Sequence, residues 1–299
     1  MLDGGSPAPE IQSARRRGIA FACGSVALFS SFAISSRLGL TTGLTLPDIA
    51  ALRFGIGGLL LSPFLFKYGL GGVRLLQAVK LALLGGLAFA MFAYAGFKLA
   101  PVAHSGILLH GTLSLTTFFL TRALGAGEAR TQFGAGLAAA LLGIAAATWD
   151  GLNKASPGLL AGDLCLLLAS LSWSGYGIYV RQLRLPAPHA AAIVTAVSAL
   201  LFLPVYIALP GTRMLQAGWQ DLLIQGTFQG VLTGTVSILV YTRAVTLLGP
   251  AKVSLFTTAV PAVTTITGLI LLNEPPTLPT LAGVVLVTLG TLISLRQSL

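Results

Sequence analysis

Ten apolar runs, each about as long as a bilayer's hydrocarbon core is thick, succeed one another along the chain. They fall at about residues 18–36, 46–66, 79–97, 101–121, 132–149, 158–180, 189–209, 222–242, 251–272 and 278–295. Crossing ~30 Å of hydrocarbon takes ~20 mostly apolar helical residues, because a helix satisfies its backbone N–H and C=O groups without water. The connections are short, and many hold helix-stopping prolines: Pro47, Pro101, Pro157, Pro186, Pro188, Pro210, Pro250 and the pair Pro275-Pro276. Only 9% of the 299 residues are charged and 55% are apolar, whereas soluble domains carry roughly 25% charge. So little charge does not cover a soluble surface, so lipid is the solvent for most of this chain. The predicted fold class is therefore all-α and integral to the membrane, which excludes soluble enzymes, DNA-binding domains and disordered chains. Cys23 and Cys165 both sit inside apolar runs, which supports neither a disulfide framework nor a cysteine metal site.

Residues 1–14 are polar and contain Pro, Gly and Ser, which predicts a disordered tail. Arg15-Arg16-Arg17 ahead of an apolar run resembles the start of a signal peptide, but nine further spans and the weak pattern Ala33-x-Ser35 favour a retained first helix. Lys and Arg then set the orientation. With the N-terminus in the cytoplasm, thirteen of them fall on the cytoplasmic side (Arg15, Arg16, Arg17, Lys67, Arg74, Lys80, Arg122, Arg130, Arg181, Arg184, Arg243, Lys252 and Arg296). Four fall opposite (Arg37, Lys98, Lys154 and Arg213), and Arg53 lies within span 2. The positive-inside rule thus predicts both termini in the cytoplasm. The net charge of +10 is a topology signal, and nucleic acid is not an expected partner.

The two halves resemble each other. Leu99-Ala100-Pro101 recurs as Leu248-Gly249-Pro250, with Ser105 and Ser254 at the same offset of 149. Tyr94 matches Tyr241, Gly136 matches Gly283 and Gly143 matches Gly290 at 147, and Glu128 matches Glu274 at 146. Phe29 and Arg37 match Trp173 and Arg181 at 144; Pro47 and Pro63 match Pro188 and Pro204 at 141. An ordered set whose offsets drift slowly points to a repeat, at residues 15–150 and 151–299. Five spans per copy is an odd number, so the second copy enters from the opposite side. Inverted repeats of this kind place a solute site near the bilayer midplane between the halves, with alternating access by rocking.

The stretch Leu271-Leu272-Asn273-Glu274-Pro275, followed by Gly283 and Gly290, resembles the drug/metabolite transporter superfamily in its EamA-type branch. Gly127-Glu128, Gly136 and Gly143 form a partial copy, and Ser172-Trp173-Ser174-Gly175-Tyr176 is similar to that family's aromatic-small motif. Overall the sequence most resembles the YddG-type aromatic amino acid exporters, over about residues 18–295. The resemblance implies export of amino acids, aromatic ones included. The first half departs from the pattern, with Phe29 in place of Trp.

Polar side chains inside spans tend to face the protein interior or a wet cavity. In span 8, Gln225, Gln229, Thr233 and Ser237 recur every four residues as one polar stripe, which either hydrogen-bonds a solute or a neighbouring helix; Gly226, Gly230 and Gly234 run beside it. Span 9 carries Ser254, Thr257, Thr258, Pro261, Thr265 and Gly268 at helical spacing, with Pro261 expected to kink it. Span 4 carries His104 and His110 six residues apart, on different faces, so no metal pair is expected. Trp173, Tyr176 and Tyr179 suit stacking on a planar solute or an interface belt, as does Tyr94. Arg53 reads as a residue able to snorkel to the outer face.

Absences narrow the chemistry. Lys, Arg, Asp and Glu are missing from the span centres, so neither a cationic clamp for phosphate nor a carboxylate for a cation is expected. Membrane proteolysis would need paired aspartates, an H-E-x-x-H site or a supported Ser–His pair; the first two are absent and no nucleophile motif supports the last. The reading is a non-enzymatic, multi-pass carrier of a bacterial inner membrane, with the lipid bilayer and a neutral or zwitterionic small molecule as partners and neither cofactor nor metal. His110, Trp173, Tyr176, Gln225, Gln229, Thr258 and Tyr94 are the expected substrate contacts.

Overall fold

The computed structural model describes residues 9–125, 134–248 and 250–298. Their regular structure is helical throughout. The stretches are α1 (Pro9–Thr41), α2 (Leu46–Tyr68), α3 (Leu75–Leu99), α4 (102–123), α5 (Gly134–Asn153), α6 (Pro157–Leu183), α7 (Ala187–Ala208), α8 (Trp219–Leu248), α9 (Pro250–Thr257 and Val260–Leu272) and α10 (Leu278–Ser298). Eight of these are long and apolar enough to cross a membrane. The other two are α4, which a turn at Thr112 divides, and α10, whose apolar part is the shorter stretch Leu278–Ile293. Helix α1 already begins at Pro9, so residues 9–14 are helical where a polar tail is predicted. Glu128 and its neighbours in the partial motif lie outside the described residues.

Local chemistry sets the helix ends. Thr45 caps α2 in a capping box with Asp48, and Pro47 occupies the first turn, where its missing N–H costs nothing. Asn273 ends α9 in the left-handed conformation (φ 51°), and the Glu274 N–H reaches back to the Gly268 carbonyl at 3.3 Å. Wide π-helical turns interrupt α3 at Leu83–Leu87, α4 at Gly106–Gly111 and α8 at Gly226–Val236. Such turns free backbone carbonyls, and neighbours use them: the Ser172 hydroxyl donates to Leu84 O at 2.8 Å. Helix α9 breaks at Thr258-Ala259, and Pro261 sits in the first turn of its second half. The expected mid-helix kink is thus a restart of the helix.

Neighbouring helices pair in a regular way: α1 with α8, α3 with α6, α2 with α7, α4 with α9, α5 with α10, α1 with α9, α4 with α6, α2 with α8 and α3 with α7. Exchanging each helix with the one five places along maps this set onto itself. Glycines permit the closest approach. A Cβ on Gly283 would meet Gly143 O at 2.9 Å, and one on Gly290 would meet Gly136 O at 2.7 Å. Backbones this close gain dispersion contacts, which drive association where lipid removes the hydrophobic driving force. Hydroxyls add to it between α4 and α6: Thr112 donates to Ser170 at 2.9 Å, Thr116 lies 2.7 Å from Ser174, and Thr117 donates to Ser174 at 3.0 Å.

Candidate functional site: a cavity behind a closed polar layer

The bundle encloses a cavity of about 640 Å³ lined by every helix except α5 among the described residues. It runs from Phe32, Arg53 and Phe89 at mid-depth to Arg181 and Ala187, which flank the α6–α7 connection at the basic end of the bundle. Seven aromatic residues, Phe29, Phe32, Phe54, Phe89, Trp173, Tyr176 and Tyr241, contribute to its otherwise mostly aliphatic and small-residue wall. Trp173 packs 4.7 Å from Phe89 and 5.1 Å from Tyr176 (ring centroids), while Phe29 lies 5.9 Å from both His110 and Tyr241. Tyr176 fits there because Gly85, in the π turn of α3, presents no side chain to its ring. Thr117, Thr233, Ser237, Thr258 and Thr291 are among its polar lining residues.

Three polar clusters occupy the opposite end. Gln229, fully buried, donates to the Ser35 and Ser36 hydroxyls at 3.2 and 3.0 Å and accepts from Tyr94 at 3.1 Å. One turn away, Gln225 donates to Ser35 O at 2.9 Å, its amide seated over Gly39. His104 Nδ1 lies 2.7 Å from Asp163 Oδ1 and its Nε2 3.3 Å from the Thr280 hydroxyl, which meets Thr277, itself a donor to Asp150. Arg37 bridges Glu274 and the last carbonyls of α3. On the rim, Asp48 accepts from Tyr206 at 2.7 Å and from the Arg213 backbone at 3.1 Å, tying α2 to the end of α7.

Four of the seven anticipated contacts, His110, Trp173, Tyr176 and Thr258, line the cavity. Tyr94, Gln225 and Gln229 are buried in the closed layer, the two amides bonding to α1 and the Tyr94 hydroxyl donating to Gln229. Helix α8 passes from that layer into the cavity wall, so one stripe serves both: its first two members face α1, whereas Thr233 and Ser237 face the cavity. His110 lies in the π turn of α4, and its Nδ1 has no hydrogen-bond partner.

Arg53 is the residue the sequence reading misplaces. It does not snorkel: it is 8% exposed and lines the cavity. Its Cζ lies 4.9 Å from the Phe32 ring centroid and 5.9 Å from that of Phe89, its guanidinium interacts with the Tyr94 hydroxyl, and Nη1 has no hydrogen-bond partner. Withdrawing such an ion from water costs several kcal/mol, of which each cation–π contact returns about 0.5–2 kcal/mol. The available signal was its position, about 10 Å along the helix from Leu46.

An all-helical bundle with eight membrane-length apolar helices and a solute-sized central cavity defines a multi-pass membrane protein. Residues 160–296 match the model of the EamA-like transporter family, a similarity that supports a place in the drug/metabolite transporter superfamily. A protein of known crystal structure shares the fold, with a TM-score of 0.60 over 95% of this chain and 97% of its own at 21% identity. No curated protein matches the chain.

Proposed function

We propose that the protein is an exporter of small zwitterionic metabolites, amino acids and their aromatic members above all, working by alternating access between two inverted five-helix repeats in a bacterial inner membrane. The observation that carries this is the cavity itself: about 640 Å³, walled in part by aromatic and hydroxyl-bearing residues from both halves, reaching the basic end and shut at the other. With the basic end in the cytoplasm, this is the inward-open arrangement, the one from which an exporter loads. The self-mapping neighbour pattern and the reciprocal glycine contacts support the repeat. Resemblance to YddG-type exporters supports the substrate class, and ring walls suit planar side chains. His110, Trp173, Tyr176 and Thr258 contact the solute in this state; Tyr94, Gln225 and Gln229 meet it when the opposite layer opens.

Counterflow of labelled phenylalanine into proteoliposomes preloaded with unlabelled amino acids tests the reading. Accelerated uptake is expected; none with any amino acid discards the substrate class.

A further inference from the structure

We propose that Arg53 is an anion subsite of the cavity and that the solute it receives carries a carboxylate on an apolar body. The inference deepens the solute-carrier reading above and rests on the cavity being a solute site. Arg53 holds a full charge at the cavity wall, more than nine-tenths buried, with Nη1 free of any partner. No carboxylate lines the cavity among the described residues. Among the described residues, four acids are engaged elsewhere: Asp48 by Tyr206 and the Arg213 backbone, Asp150 by Thr277, Asp163 by His104 and Glu274 by Arg37.

A guanidinium with no counter-ion in a low-dielectric wall is costly, and the phenyl rings of Phe32 and Phe89 with the Tyr94 hydroxyl offset only part of that. A carboxylate completes the site, because its two oxygens match the planar donor fork of arginine. One guanidinium matches one such group. A phosphate monoester, at about −1.5 to −2, needs more donors, and Arg181, the other lining cation, belongs to the mouth. The rings of Phe89, Trp173 and Tyr176 then take the apolar body. An ammonium group finds no acidic partner in the wall, so a carboxylate without an ammonium binds as readily as an amino acid does.

The test is ligand-induced thermal stabilisation of the purified full-length protein with 3-phenylpropanoate, 3-phenylpropanamide, phenethylamine and phenylalanine. Expected is stabilisation by the two carboxylates, with apparent affinity at least tenfold above that of the neutral amide and no response to the amine. Arg53→Gln abolishes the preference and Arg53→Lys retains part of it. Equal response to carboxylate and amide, or to no carboxylate, in the unaltered protein overturns the proposal without any variant. An unchanged preference in Arg53→Gln overturns it as well. Carboxylate binding through Arg53 without phenylalanine counterflow leaves this site standing and removes the amino acid reading. Phenylalanine counterflow indifferent to Arg53→Gln does the reverse.

Discussion

Arg37 Nε donates to Glu274 Oε1 at 2.9 Å while Nη1 of the same guanidinium holds the carbonyls of Phe97 and Lys98, each at 2.7 Å. The second oxygen of Glu274 accepts from the Val102 N–H at 2.8 Å, at the start of α4. One ion pair therefore satisfies the C-terminal carbonyls of α3 and an N-terminal donor of α4, and joins both to α1 and the α9–α10 connection. Asn273, by turning left-handed at the end of α9, brings Glu274 to this position.

Breaking that pair should loosen the closed end. Hydrogen bonds to charged groups contribute about 1.5–3 kcal/mol, so Glu274→Gln is expected to raise the population open at that end by roughly tenfold or more. A cysteine at Thr277, in a chain with Cys23 and Cys165 replaced, reports it through faster labelling by an impermeant maleimide. Equal labelling rates would show that the pair does not hold this end.

Gln229→Leu should destabilise the fold by about 1–3 kcal/mol, since it strips the Tyr94 hydroxyl of its amide partner in a fully buried site. The double variant with Tyr94→Phe is expected to recover part of the loss, because it removes the hydroxyl that the single variant leaves without its amide acceptor. Thermal unfolding of the two variants gives the comparison; a double variant no better than the single would place the cost elsewhere.

At Gly290, a methyl group would lie 2.7 Å from Gly136 O and 2.8 Å from Ala140 N, so Gly290→Ala must push α5 and α10 apart. Overpacking of this kind costs about 1–3 kcal/mol. Gly55→Ala in α2, where nothing lies within 4 Å, is the control; it should stabilise by about 0.5–1 kcal/mol through lost backbone entropy. The sign difference is read from melting temperatures.

The sequence by itself determined where the helices run and much of how they end, because apolar runs of about 20 residues satisfy their backbone groups in lipid as helices and Thr45, Asp48, Pro157 and Asn273 act on their own first or last turns. It also held the glycines that bring α5 and α10 together, visible as the matched set Gly136, Gly143, Gly283 and Gly290. The tertiary structure alone decided what each polar face meets. Gln229 and Thr233 share a stripe yet divide between closed layer and cavity, because Ser35 and Ser36 of α1 bind the Gln229 amide whereas one turn further on the helices part around the cavity. Arg53 looked free to reach the outer face, but Phe32 of α1 and Phe89 of α3 hold it at the cavity wall. Periodicity defines a helix's faces, whereas the neighbour that fills each face comes from segments far along the chain, and only their packing chooses it.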